Sequence, residues 1–322
     1  MYREAVILIH GITPSLTPSN PGKDILKFFK SIRAQSGALE IRFPDTCIFN
    51  LEWGHILPGD DATNLRPDQK LMTAENEVIS RVVGAQRASV IHQREIARVM
   101  QNSLLVPGIG DVLYFAGEGA SSIQSLIRNN IINLLPTKIQ DFDTPGVVVR
   151  LHVIAASLGV SIAYDLLSNI FNQAPSFRPP DEFNKLRKLA LPSGQGLLGG
   201  KPKIELGTFV CAASQLPLLL LRKQEYVDLM ARKDSISPSV IGFKGDHKQA
   251  WILFHDDNDV LSFKTKPLFT PSDDVVEIEV ENQRSDNIVN RFVDSHTGYW
   301  SNLKVISEVR RVLENVTDNH GV

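Results

Sequence analysis

The chain has 322 residues, 43% hydrophobic and 22% charged, enough to bury a large core and too mixed in composition for a disordered or low-complexity protein. Its 34 basic and 36 acidic residues leave a formal net charge of −2, so it has no overall cationic character to favour nucleic acid. Only two cysteines occur, Cys47 and Cys211, each inside an apolar strand-like run. They read as buried thiols, with no sign of a disulfide framework or a metal site.

The chain opens on "MYREAVILIHG", whose apolar run at 5–10 predicts a strand ending at His10 and Gly11. No cationic segment precedes a separate apolar one, and the run is too short to cross a bilayer, as is "LPLLLL" at 216–221. The expected location is therefore cytoplasmic, with peripheral contact at a membrane surface left open. "KDILKFFKSIRAQ" (23–35) has helical spacing, and "TCIFNLEW" (46–53) reads as a second strand. A long mixed stretch follows at 55–145, with helical patches such as "ASSIQSLIRNNIINLL". Structureless connections of that length are uncommon in compact domains, so it should fold into helices of its own. It leaves the sheet after "TCIFNLEW", at what should be the edge carrying the turn discussed next. The expectation is a helical cap, with an independent second domain as the alternative.

The third strand is "VVVRLHVIA" (147–155), followed by the helix "VSIAYDLLSNIF" (160–171). Proline and glycine cluster in 173–203, which marks a loop insertion. Further strands are "ELGTFVCAA" (205–213), "AWILFH" (250–255) and "VVEIEV" (275–280), and "KVISEVRRVLENV" (304–316) closes the chain as a helix. Continuous apolar runs alternating with helices predict an α/β fold, a doubly wound and mostly parallel sheet in one domain over 1–322. Both insertions should then lie over the carboxyl ends of the strands, where open sheets bind their ligands.

Four passages carry candidate chemistry. Ser157 sits between the third strand and its helix, in the pattern A-x-S-x-G with Ala155 and Gly159 at the ends. It either caps the helix, a common task for serine, or is presented on a tight turn as a nucleophile. His10 and Gly11 end the first strand, where the Ile12 N–H can join that of Leu158 as an oxyanion hole. Alternatively Gly11 serves only a turn, and His10 is expected to orient the loop. The run "FHDDNDV" places Asp256, Asp257 and Asp259 past a strand end, any of which can orient a histidine. His296, in "FVDSHTGYW", stands in a polar turn before the last helix.

The order Ser, Asp, His, each following its own strand, resembles that of the α/β-hydrolase superfamily over nearly the full length of the chain. "LIHGI", "IAASLGVSIAYDLL", "FHDDNDVLS" and "SHTGYW" are similar to the serine lipase and esterase branch that includes GPI-inositol-deacylase-like enzymes. The resemblance implies Ser157 as nucleophile, His296 as general base and Asp259 as the acid, with Asp256 holding the loop. It implies hydrolysis of a carboxylic ester, of a lipid or an acylated small molecule, with no cofactor and no metal. Apolar runs at 103–117, 131–136 and 215–223 are candidates for an acyl pocket or lid, or else pack on the sheet. Thioester or peptide hydrolysis would use the same residues, and a non-catalytic relative would be a binding or scaffold protein. Ala156 departs from the branch, where a histidine commonly precedes the serine, and this puts the substrate fit beside Ser157 in question.

Overall fold

The computed structural model describes residues 1–11, 21–53, 119–172, 177–191, 202–217, 251–259, 261–269, 275–282 and 294–318. Among the described residues six strands form one all-parallel sheet: β1 (Tyr2–Ile9), β2 (Ile48–Leu51), β3 (Val148–Ala156), β4 (Ile204–Ala212), β5 (Trp251–His255) and β6 (Val275–Glu279). Their spatial order is β2-β1-β3-β4-β5-β6. Each falls on an apolar run expected to be a strand.

Alternating side chains along the strands feed two separate cores. Ala5, Ile7 and Ile9 of β1 join Val149, Leu151 and Val153 of β3 on one face; Val6 and Leu8 join Ile154, Val210 and Phe254 on the other. That period of two, with both faces apolar, is what burial between two helical layers requires. The helices α1 (Pro21–Ala34), α2 (Gly37–Arg42) and α6 (Leu303–Asp318) cover the second face. On the first lie α3 (Gly119–Lys138), α4 (Leu158–Phe171) and α5 (Asn184–Ala190). The fold is α/β with helices on both faces of a parallel sheet, as the alternation predicts.

The long insertion needs correcting in two respects. β2 is the outermost strand, but the turn bearing Ser157 follows β3, on the far side of β1 and inside the sheet. The insertion therefore does not leave the sheet at the strand that carries Ser157. Its described part, α3, lies in the sheet-face layer: Ile123, Ile127, Ile131 and Leu135 are buried in the same core as β1 and β3, and the Gln124 amide donates to Ile162 O on α4 (3.2 Å). The apolar side chains of 131–136 thus pack on the sheet. Of the loop insertion, residues 177–191 carry α5, whose Leu186 and Ala190 join that core. Residues 54–118, including the run at 103–117, lie outside the described residues, as do 192–201 and 218–250.

At the opposite end of the strands from the candidate site, Glu4 accepts from Arg150 (3.0 Å) and meets His152 Nε2 (2.8 Å); His152 Nδ1 lies 3.0 Å from Thr208 Oγ1. Burial pushes the Glu4 carboxyl up, but His152, Arg150 and Arg42 outweigh it and hold the group below its usual range. Cys47 and Cys211 are buried free thiols, both pushed up by burial. Among the described residues no helix is long and apolar enough to cross a membrane.

Candidate active site

The chain leaves β1 toward β2 on one side, and leaves β3 toward β4 on the other. The carboxyl ends of β1 and β3 are therefore a topological switch point, the place where an open α/β sheet has a crevice. His10 and Gly11 leave β1 there, and Ser157 leaves β3 in the adjoining position, since Ile9 pairs with Ala155.

Ser157 does not cap α4. Its side chain makes no capping bond, and its backbone stands at φ 53°, ψ −128°. Those angles match the first corner of a type II′ turn, a place normally filled by glycine. The turn is pinned by Ser157 N–H to Ala212 O at 2.8 Å. Two glycines make room for it. A Cβ on Gly159 would stand 2.4 Å from His10 O and 2.5 Å from Ile9 O, so the start of α4 presses directly on the end of β1. A Cβ on Gly11 would stand 2.6 Å from Ser157 Cβ.

The sheet brings together three side chains separated widely in sequence. Ser157 Oγ lies 2.9 Å from His296 Nε2, and His296 Nδ1 lies 2.9 Å from both Asp259 carboxylate oxygens. The carboxylate can only accept, so Nδ1 carries the hydrogen and Nε2 is left to accept from the serine hydroxyl. Asp259 is 3% exposed, and a carboxylate so deep must be well supplied with donors. The Leu261 N–H reaches Oδ1 at 3.0 Å, and the Tyr299 hydroxyl reaches Oδ2 at 3.1 Å. Burial, and then the charge of Asp259, push the Tyr299 phenol well above its ordinary range, so it remains an O–H donor.

The other two aspartates are placed differently. Asp256 ties the loop down: Oδ1 accepts from Asn258 N–H (2.9 Å) and its side-chain amide (3.1 Å), while Oδ2 accepts from Asn282 N–H (2.9 Å). Asp257 is exposed and pairs with Lys264 at 3.2 Å. With His255 and Glu279 it is the group of described residues whose ligand atoms, within 4.8 Å of one another, are close enough to share a metal ion. Asp257 also draws the Lys264 ammonium into the cluster and pushes its pKa up, so this group already has a cation.

His10 stacks on Trp53, with ring centroids 5.2 Å apart. Its Nδ1 lies 2.7 Å from Gly11 O and so must donate; Nε2 accepts from Trp53 N–H at 3.4 Å, and the Trp53 indole donates to His10 O at 2.9 Å. That bracing fixes the loop leaving β1. Leu158 opens α4, so its N–H is among the helix's first donors, which have no acceptor within the helix. Ile12, the other expected oxyanion donor, lies outside the described residues. Ala156 is partly open to solvent at the end of β3, beside Ser157.

Two residues of the site were missed by sequence reasoning. Gln215 donates from Nε2 to Ser157 Oγ at 3.0 Å. The parallel pairing of Ala156 with Ala212 places whatever follows β4 beside whatever follows β3, a register that the sequence does not signal. Tyr299, inside the "SHTGYW" passage, also accepts from Asp256 N–H at 2.9 Å and so links the loop of Asp259 to the turn of His296. Comparison with known protein families, curated proteins and solved structures returns no match.

Proposed function

We propose that the protein is a serine hydrolase of carboxylic esters, built on the α/β-hydrolase plan. The observation that carries this reading is the 2.9 Å contact from Ser157 Oγ to His296 Nε2, continued at 2.9 Å from His296 Nδ1 to Asp259, at the switch point of the sheet. A serine hydroxyl is a weak nucleophile until a base removes its proton. His296 takes that proton as Oγ attacks the ester carbonyl, and Asp259 holds the imidazole in the required tautomer and stabilises the imidazolium. The Leu158 N–H at the head of α4 is the described candidate donor for the developing oxyanion; Ile12, expected as its partner, lies outside the described residues. His296 then protonates the departing alcohol, and water enters with His296 again as base to release the acid.

The substrate we favour is an ester with an apolar acyl chain, from a lipid or an acylated small molecule. Support for the apolar part now rests on the sequences at 103–117 and 215–223, since 131–136 packs on the sheet. The helical cap expected within 55–145 belongs to the same proposal; its residues 55–118 lie outside the described residues. The test is labelling by a fluorophosphonate probe. Wild-type protein should be labelled and Ser157→Ala should not, while melting as a folded protein. Labelling that persists in the alanine variant, or no labelling of wild type, refutes the reading. A panel of p-nitrophenyl esters and acyl-thioesters of graded chain length then separates ester from thioester hydrolysis.

A further inference from the structure

A buried amide that touches the nucleophile while its own oxygen goes unpaired is costly to the fold. Gln215 stands three residues past the end of β4 and is 2% exposed. Its Nε2 lies 3.0 Å from Ser157 Oγ, and its Oε1 is buried with no hydrogen-bond partner among the described residues. An unpaired buried acceptor destabilises the folded state, whereas an apolar side chain of similar shape would not.

The backbone that delivers Gln215 is constrained to do so. Ala213 has a φ of 52°, in the left-handed region that a residue with a Cβ rarely adopts. Its N–H donates to Phe254 O at 3.1 Å, the Phe263 N–H donates to Ser214 O at 2.9 Å, and the Thr265 hydroxyl donates to Ser214 Oγ at 3.1 Å. Residues from two other segments thus hold this short turn against Ser157.

Which end of the amide faces Oγ follows from the histidine. Nε2 of His296 has no hydrogen, so the Ser157 hydroxyl must point its proton there, and its lone pairs remain for Gln215. A carbonyl oxygen in that place would meet lone pairs; an N–H bonds to them.

We infer that Gln215 is a catalytic residue of the acyl transfer proposed above, an inference that rests on that reading. Its N–H fixes the Ser157 hydroxyl in the rotamer that hands its proton to His296, and it stabilises the negative charge that grows on Oγ as this happens. In that step the O–H bond breaks and the proton goes to His296 Nε2. The freed electron pair forms the bond from Oγ to the carbonyl carbon, and the carbonyl π pair moves onto its oxygen. Gln215 exchanges no atom; it keeps its N–H throughout.

The test compares two variants by the rate of fluorophosphonate inactivation against pH and by thermal midpoint. Gln215→Met keeps the length and removes both the donor and the unpaired oxygen. It should inactivate slower by on the order of 10²-fold, the usual loss for one preorganised donor, with a melting midpoint equal to or above wild type. Gln215→Glu sets a carboxylate beside Oγ and His296, which should move the rising limb of the pH profile to higher pH by favouring the imidazolium. A packing role would slow Gln215→Met only together with a lowered midpoint. Wild-type inactivation of Gln215→Met overturns the inference. So does a slower rate of Gln215→Met that merely accompanies a fallen midpoint. If wild type itself does not react, the hydrolase reading fails and this inference fails with it; a reactive wild type with an unaffected methionine variant sinks this inference alone.

Discussion

Ser157 is held at φ 53°, ψ −128°, and the strain this implies can be measured without any assay of activity. Two substitutions are needed, Ser157→Ala and Ser157→Gly. Both remove Oγ, so the contacts to His296 and Gln215 are lost equally and cancel in the comparison. What differs is the Cβ. Alanine keeps a conformation that costs ~1–3 kcal/mol for a residue with a side chain, and glycine releases it. Against this, glycine orders more backbone freedom on folding, a handicap of ~0.5–1 kcal/mol. Glycine also forfeits the packing of the Ser157 Cβ over Gly11, where a Cβ added to Gly11 would stand 2.6 Å from it. The balance favours glycine by about 1 kcal/mol, whereas at an ordinary position alanine is the more stable of the two. Urea unfolding of both variants at matched slopes reads the sign directly. A midpoint for Ser157→Ala at or above that of Ser157→Gly would refute the argument that the turn is strained.

Gly159→Ala forces a methyl against the backbone carbonyls of Ile9 and His10 at the end of β1, which cannot swing aside as a side chain would, so it should lower the thermal midpoint sharply; Gly37→Ala, whose Cβ would meet nothing within 4 Å, should leave it unchanged or raise it. Asp259→Asn should slow ester turnover by as much as ~10⁴-fold where the histidine tautomer is lost, while Asp257→Asn, exposed and paired with Lys264, should change the rate little. Glu4 has a folded pKa below its unfolded one, so its contribution to stability is present above the unfolded value of about 4.3 and is lost as pH falls through the folded value. The difference in unfolding free energy between wild type and Glu4→Gln should therefore be largest above about pH 5 and shrink toward acid. A constant difference across that range would show that the charge of Glu4 contributes nothing.

Much of the architecture is written in local pattern. Runs such as "AVILI" are apolar at both phases, and a strand whose two faces are both covered needs no alternation, so runs of this kind alternating with helices point to a parallel sheet. The small residues around Ser157 belong to the same level, because the tight turn acts through neighbours one or two positions away. Strand order is different in kind. It depends on which runs pair across long gaps, as β1 does with β3 across the 138 residues between Ile9 and Val148, and periodicity carries no information about partners. For that reason the sequence puts the turn of Ser157 at the edge where the long insertion leaves, while the sheet order puts it after β3, inside the sheet. The acid shows the same limit: Asp256, Asp257 and Asp259 have one chemistry and nearly one position in the chain. Only the fold of their turn sends Asp259 toward His296, Asp256 back to Asn258 and Asn282, and Asp257 out to Lys264. Gln215 lies at the far end of that scale, since nothing in "AASQLP" marks a glutamine that reaches Ser157; its position comes from the register of β4 against β3 and from the strained turn after it.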